Sequence, residues 1–231
     1  MRTIRQNLHT NNQHIQITEG AINISYKNFT TAEKAQLWAQ QNQRDIFYLS
    51  SNSPEYKAIF RYTGGGSTMI NRILRNPKNY TEEDFFEDED YYRVIETLTK
   101  ITQSNKTNEN IIAYRYCDLM YIKACAASRK LKKYMVCKDS GFCSTTLVKD
   151  KLIPLSKEHN YNCIIKFYLP QGVNGAYISI PSLDTCLDEC EFLLSPGTQF
   201  KILKIQYKWW KVWSRIKYEV ECQVLTPAHN T

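Results

Sequence analysis

The spacing of apolar residues changes near Asn110, and this change limits the folds that the chain can adopt. Before that point, apolar residues recur at helical spacing behind start signals, such as the capping box of Thr30 and Glu33 or the pair Ser53-Pro54. After it, short β-rich runs alternate with turns. Helical patterns followed by strand patterns predict an α+β fold.

Four helices are predicted in the first half. The third follows the run Gly64-Gly65-Gly66, with Ser67 or Thr68 as its cap, and the fourth follows the acidic block 82–90. On the third helix, Asn71 and Arg75 share the face opposite its apolar stripe. The residues expected to be buried are Ala35, Leu37, Trp38, Ala39, Tyr56, Ile59, Phe60, Ile70, Ile73, Leu74, Val94, Ile95, Leu98 and Ile101.

Seven strands are predicted in the second half, after a possible short strand at residues 21–26. Each is a run rich in β-branched and aromatic residues between turn signals. The predicted strands are 111–117, 134–138, 163–169, 176–180, 189–194, 200–207 and 218–224.

Composition narrows the class of protein. A length of 231 residues suits one compact domain, and no apolar run is long enough to span a bilayer. The polar start of the chain lacks the apolar centre of a signal peptide, so we expect production in the cytoplasm and any export by a non-classical route. Eight cysteines without a CxxC pair and four histidines without HExxH spacing favour reduced thiols and disfavour a metal site or a Cys-His mechanism.

The net charge of +7 is unevenly distributed. The block 82–90 is acidic, whereas the C-terminal part is basic and carries Trp209, Trp210 and Trp213. Such a tail is typical of an edge hairpin with extended lysines. It could also bind a nucleic-acid strand through stacking and phosphate contacts.

Three short elements of the second half carry chemistry. In a strand, Glu189 and Glu191 project from one face, and two such carboxylates can divide the work of stabilising a cation and accepting a proton. The same spacing is common on a solvated strand face. Arg115 lies on a strand predicted to be buried, where an anionic ligand is the natural partner of a guanidinium. The stretch 141–147 places hydroxyl groups at the start of another strand.

The order of these three elements resembles the signature of mono-ADP-ribosyltransferase toxins, in the branch of iota-toxin-type enzymes and Rho-modifying exoenzymes. The elements are Arg115, then Ser144-Thr145-Thr146, then the pair Glu189 and Glu191. The segment Ala35-Gln36-Leu37-Trp38, with Tyr62, Asn71 and Leu74-Arg75, resembles the helical region of the same branch. The resemblance implies a catalytic domain at 28–231 after an N-terminal extension at 1–27. It also implies N-terminal helices packed on a two-sheet mixed β-sandwich.

The resemblance further implies NAD as co-substrate, no metal, and specific roles. Glu191 would bind the 2′-hydroxyl of the nicotinamide ribose and stabilise the cation formed as nicotinamide leaves. Ser144 would hold Glu191, and Glu189 would orient and deprotonate a target guanidinium. The implied cofactor-binding residues are Arg115 and Arg75, which would grip the pyrophosphate, with Tyr62, Asn71, Gly141 and Thr145.

An arginine of a target protein is the implied acceptor, because relatives with Glu at the position of Glu189 typically modify arginine. The loop 181–188 would read the target, although it lacks the aromatic that several relatives carry there. Its implied contact residues are Leu183, Asp184, Leu187 and Asp188. The loop 148–162 lacks the usual Arg or Phe of the phosphate-nicotinamide loop, and Lys149, Lys151 and Lys157 are alternatives.

The leading hypothesis is therefore an NAD-dependent protein-arginine mono-ADP-ribosyltransferase, a bacterial toxin or effector with NAD glycohydrolase side activity. Two alternatives are the same chemistry on nucleic acid and a non-catalytic binding module of this fold. Many binary toxins carry a second domain copy that docks a translocation partner, and 231 residues are too few for one. We therefore expect another route of entry into the host cytosol, with an unknown delivery partner or cognate antitoxin, or action inside the producing cell.

Overall fold

The computed structural model describes residues 13–19, 22–80, 91–152, 161–183, 189–208 and 215–226. Within them, six α-helices and ten strands follow one another. The helices are α1 (Ala32–Asn42), α2 (Arg44–Phe47), α3 (Pro54–Arg61), α4 (Ser67–Arg75), α5 (Tyr91–Ser104) and α6 (Leu119–Cys125). The strands are β1 (Gln13–Glu19), β2 (Ile22–Asn28), β3 (Ile111–Cys117), β4 (Val136–Lys138), β5 (Cys143–Thr146), β6 (Cys163–Leu169), β7 (Gly175–Tyr177), β8 (Glu191–Leu194), β9 (Gln199–Tyr207) and β10 (Tyr218–Val224).

The helix starts follow from local capping. Ser53 caps α3 by accepting a hydrogen bond from the Tyr56 amide, with Pro54 at the first helical position. At α1 the cap is Thr31 and not Thr30, because the Thr31 hydroxyl accepts from the Lys34 amide. The predicted burial of Leu37 and Phe60 is wrong, since both side chains are more than half exposed.

The glycine run produces a tight turn between α3 and α4. The segment Tyr62–Gly66 leaves helical geometry at Gly64 and Gly65, and Gly65 has φ +108°. A Cβ atom on Gly66 would lie 2.5 Å from the Arg61 carbonyl oxygen, so only glycine fits there. Gly66 itself is the N-cap of α4, and neither Ser67 nor Thr68 caps the helix.

The strands form one mixed, hydrogen-bonded set in the order β4-β9-β10-β6-β3-β5-β8-β7, with β2 pairing β3 and β1 pairing β2. Strand β3 pairs with β6 along its whole length but meets β5 only through Tyr114 opposite Thr146. Two groups of strands thus meet at one residue pair. Phe192 from one group and Phe167 from the other belong to the same apolar core.

A second apolar cluster joins the helices to the strands that carry the site. It contains Ile59, Ile70 and Leu98 from the helices together with Ala176 and Leu193 from β7 and β8. The N-terminal helices therefore pack on the sheet, as the predicted α+β fold requires, and that fold class is confirmed.

The predicted strand bounds agree best with the observed ones for the strands in the middle of the sheet. Predicted strands 111–117, 163–169 and 218–224 match β3, β6 and β10 in every residue. Strand β8 begins at Glu191 and not at 189, because Cys190 has φ +50° and breaks the extended chain. The predicted strands 134–138 and 176–180 are shortened to β4 and β7.

Strand β2 crosses the position predicted as a domain boundary, between residues 27 and 28. Lys27 of β2 pairs with Ile111 of β3, and the buried Tyr26 ring lies 5.3 Å from the Tyr168 ring. The division into 1–27 and 28–231 stays a prediction. Seven cysteines are described, and six of them are buried. None of the helices among the described residues combines the length and apolarity needed to cross a bilayer.

Candidate active site

A cavity of about 560 Å³ lies between α4, the turn before it and the strands β3, β5 and β8. Seven of the predicted site residues line it together: Tyr62, Asn71, Arg75, Arg115, Ser144, Glu189 and Glu191. Sequence reasoning missed six others: Thr63, Ser67, Thr68, Arg72, Tyr116 and Tyr161. The volume of the cavity falls in the range of small-molecule sites, ~300–1,000 Å³.

Glu191 is the first residue of β8 and is almost fully buried, at 6% exposure. Its amide donates to the Ser179 hydroxyl at 2.8 Å, and its carbonyl oxygen accepts from the Ile178 amide at 3.0 Å. Burial raises the pKa of its carboxyl to about 7; Glu189 raises it further, while a hydrogen bond from Ser144 and the charge of Arg115 lower it. The structure therefore pairs Ser144 with Glu191 and holds a carboxyl that titrates near neutral pH.

Glu189 reaches the same cavity from outside the strand. The left-handed backbone of Cys190 turns the chain between the two glutamates, so the predicted alternation along one strand is wrong although both carboxylates face one space. The Thr146 hydroxyl donates to the Glu189 carbonyl oxygen at 2.6 Å. Burial raises the pKa of the Glu189 carboxyl as well.

Arg115, on β3, lines the same cavity. Its Nη1 donates to the Ser144 carbonyl oxygen at 2.5 Å, and its guanidinium lies 4.5 Å from the centre of the Tyr121 ring. Burial lowers the pKa of Arg115, but Tyr121 and the Cys143 thiol outweigh it and the net shift is upward. Its Nε is buried and has no hydrogen-bond partner among the residues that the structure describes. A buried donor on a permanent cation is suited to an anionic ligand.

Arg75, predicted beside Arg115, forms an ion pair that the sequence did not reveal. Its Nε and Nη2 each donate at 2.9 Å to the two carboxylate oxygens of Asp139, whose side chain is 1% exposed. Asp139 lies in the turn after β4, where Asp-Ser-Gly is common for purely local reasons. No local pattern links it to a helix 64 residues earlier.

Asn71 and Gly141 fix α4 against the loop before β5. The Asn71 Oδ1 accepts from the Phe142 amide at 2.8 Å, and its Nδ2 donates to the Tyr62 hydroxyl at 3.3 Å. A Cβ on Gly141 would lie 2.6 Å from that Oδ1. Burial and the charge of Glu191 raise the pKa of the Tyr62 phenol, so it stays protonated as a donor.

Three of the predicted site residues that the structure describes do not line the cavity: Gly141, Thr145 and Leu183. Thr145 points away from the cavity because neighbours in a strand alternate, and its hydroxyl donates to the Phe192 carbonyl oxygen at 2.6 Å. Leu183, predicted to read a target protein, is 2% exposed and packs in the helix-facing core, so its side chain is not presented to a partner.

Other predicted residues fall outside the described part of the chain: Asp184, Leu187, Asp188, Lys157, the acidic block 82–90, and Trp209, Trp210 and Trp213. Lys149 and Lys151 are described and do not line the cavity, whereas Tyr161, from the same loop, does. The available signal for Tyr161 was an aromatic residue two positions before the start of β6.

Comparison with known proteins shows which family this chain belongs to. The family model of the ADP-ribosyltransferase exoenzyme matches residues 32–226, and the chain belongs to that family. Among curated proteins, it is 24% identical over 166 residues to NAD(+)-arginine ADP-ribosyltransferase EFV of Enterococcus faecalis, covering 70% of this chain and 31% of that protein. This chain thus spans about a third of the length of that relative.

A second curated relative has similar length. The epidermal cell differentiation inhibitor of Staphylococcus aureus is 20% identical over 223 residues, which cover 85% of this chain and 84% of the relative. Among solved structures, C3stau2 from S. aureus with NAD superposes with a TM-score of 0.66 at 18% identity, covering 87% of this chain and 99% of that one. The structural likeness supports the fold.

Proposed function

We propose that the cavity binds NAD as a substrate and transfers its ADP-ribose to an arginine of a target protein, with release of nicotinamide. The observation that carries this proposal is the convergence of Glu189, Glu191 and Ser144 on one cavity that also contains Arg115. The name of the E. faecalis relative supports arginine as acceptor, and the NAD-bound C3stau2 structure supports NAD as substrate.

The cavity fits the substrate chemically. Arg115 supplies a buried cation with an unpartnered Nε, which suits a pyrophosphate oxygen. The Tyr62 phenol and the polar face of α4, with Thr68, Asn71 and Arg72, supply further donors. Polar and cationic groups thus line the cavity together with the two glutamates.

Glu191 stabilises the positive charge that develops on the ribose as the bond between its C1′ and the nicotinamide nitrogen breaks. A carboxylate buried at 6% exposure acts there with little screening by water. Ser144 keeps this carboxylate in place through its hydrogen bond. Glu191 must be ionised to act, so its raised pKa sets a pH limit on the reaction.

Glu189 acts on the acceptor. It takes a proton from the arginine guanidinium, whose nitrogen then forms the new bond to C1′. The raised pKa of its carboxyl makes it a better base than an exposed glutamate. Without an acceptor, water can take the same position, which gives NAD glycohydrolase activity as the side reaction.

The six described cysteines other than Cys190 are free thiols, which suits action in a reducing compartment such as the cytosol of a target cell.

A cell lysate incubated with adenylate-labelled NAD tests the function, with protein and nucleic-acid fractions counted separately. We expect label on protein with the wild type and its loss with Glu191→Gln. The matched control is Glu96→Gln, an exposed glutamate on α5, which should label as the wild type does. Label in nucleic acid, or no nicotinamide release, would overturn the proposal.

A further inference from the structure

Asp139 is a buried carboxylate beside the cavity whose two oxygens are fully used. Oδ1 accepts from the Arg75 Nε at 2.9 Å and from the Gly141 amide at 3.0 Å. Oδ2 accepts from the Arg75 Nη2 at 2.9 Å and from the Tyr121 hydroxyl at 2.7 Å. Asp139 does not line the cavity, so its charge acts on the residues around it.

Tyr121 extends the effect of Asp139 to the second arginine. The centre of its ring lies 4.5 Å from the Arg115 guanidinium and 5.7 Å from that of Arg75. Both distances are within reach of cation–π attraction. Because Asp139 holds the hydroxyl of this ring, one carboxylate fixes Arg75 directly and Arg115 through Tyr121.

The backbone of Asp139 is anchored to the sheet. Its amide donates to the Thr198 carbonyl oxygen at 3.0 Å, and its carbonyl oxygen accepts from the Gly197 amide at 2.7 Å. Its side chain meanwhile reaches Arg75, the last residue of α4. Asp139 therefore links the turn between β8 and β9 to the helix that lines the cavity.

We propose that Asp139 is a positioning residue for the phosphates of the dinucleotide: it orients Arg75 and Arg115 before the substrate arrives and does not touch the substrate itself. This inference rests on the proposed function. Two adjacent guanidiniums repel each other, and a free arginine side chain samples many rotamers. A rotamer-rich side chain that becomes ordered only on binding costs free energy, and this cost is absent where the side chain is already fixed.

The arrangement leaves specific donors for an anion. Asp139 engages the Nε and Nη2 of Arg75, so Nη1 lies outside that ion pair. On Arg115, Nη1 is used by Ser144 while the buried Nε has no partner among the described residues. The negative charge of Asp139 also offsets one of the two arginine charges, which reduces their repulsion before the substrate binds.

Asp139→Asn tests the inference, because it removes the charge and keeps the size of the side chain. We expect the KM for NAD in nicotinamide release to rise roughly tenfold, the effect of freeing two arginines. The kcat should stay within about twofold, because phosphate contacts are made equally in the ground state and the transition state. A purely structural role would instead lower kcat per total protein and leave KM unchanged.

Tyr121→Phe is the companion variant, since it removes only the hydroxyl that binds Asp139 and keeps the ring. We expect KM to rise roughly threefold, and the double variant to be no worse than Asp139→Asn alone, because Tyr121 acts through the carboxylate. If Asp139→Asn does not fold, the KM of Tyr121→Phe decides whether the inference about Asp139 holds.

An unchanged or lower KM in the folded variants would overturn this inference and leave the proposed function intact, provided that the wild type releases nicotinamide. A wild type that neither binds NAD in calorimetry nor releases nicotinamide would overturn both.

Discussion

The hydroxyl of Thr146, at the end of β5, donates a hydrogen bond of 2.6 Å to the backbone carbonyl oxygen of Glu189. Glu189 lies outside β8, beyond the left-handed residue Cys190, so the sheet does not fix its position by strand pairing. Thr146 supplies that fixation from the neighbouring strand. The position of Glu189, the carboxylate that we propose acts on the acceptor, thus depends on a hydroxyl of the Ser-Thr-Thr element.

Thr146→Val removes this hydrogen bond at nearly constant volume. We expect ADP-ribosyl transfer to agmatine, a small guanidinium acceptor, to fall about tenfold, while nicotinamide release without acceptor changes by less than about twofold. Thr146→Ser, which keeps the hydroxyl, is the control and should transfer nearly as the wild type does. Equal losses of both activities in Thr146→Val would mean that the hydroxyl supports the whole site and not Glu189 in particular.

The pH profile of nicotinamide release follows from the buried Glu191. Its pKa of about 7 means that the carboxylate form, which the reaction needs, increases as the pH rises through neutrality. We expect kcat/KM to rise between about pH 5 and pH 8 with a midpoint near 7. In Glu189→Gln the midpoint should be lower, because the like charge of Glu189 contributes to the raised pKa. A flat profile would contradict this assignment.

The same pKa predicts an effect on stability. A carboxyl with a pKa of 4.5 in the unfolded chain and about 7 in the folded protein binds its proton more tightly when folded. Its contribution to stability is therefore present below about pH 4.5 and is lost as the pH rises through 7. Glu191→Gln should be more stable than the wild type by about 1–3 kcal/mol at pH 8.

At pH 5, where the folded wild type is mostly protonated, the difference between Glu191→Gln and the wild type should be much smaller. Denaturant unfolding at both pH values measures it. A variant less stable than the wild type at pH 8 would show that the ionised carboxylate stabilises the fold.

Arg72 is a third arginine at the cavity, exposed on α4 next to Asn71. Because Asp139 offsets the charge of Arg75, we expect Arg72 to contribute to the attraction of the anionic substrate. Arg72→Ala should raise the KM for NAD about threefold to tenfold at low salt and by less at high salt, since exposed charges are screened. Arg129→Ala, another exposed arginine, is the control. The same KM for Arg72→Ala and wild type at low salt would exclude this role.

The sequence predicted those parts of the molecule whose causes are local. The strands at 111–117, 163–169 and 218–224 match because apolar, β-rich runs are bounded there by turns. Arg115, Ser144, Glu189 and Glu191 were selected because their order resembles the signature of mono-ADP-ribosyltransferase toxins, and the fold brings them to one cavity.

Other features depend on contacts between distant segments and leave no local pattern. The pairing of Asp139 with Arg75 joins a turn to a helix, and either residue alone is typical of an exposed position. The left-handed Cys190 could not be predicted because cysteine has no preference for that conformation. Phe60 was expected inside, yet it stacks on Tyr56 at the surface, because a helix of eight residues buries a narrower face than its apolar content suggests.

We proposed that Glu191 stabilises the cation on the ribose and that Glu189 acts on the acceptor. The variant Glu189→Gln separates these two roles. For Glu189→Gln, nicotinamide release and transfer of ADP-ribose to agmatine are measured in the same reaction. We predict that the transfer of ADP-ribose to agmatine falls by roughly a hundredfold or more, while nicotinamide release persists because Glu191 remains in place. Loss of both activities together, or unchanged transfer, would contradict it.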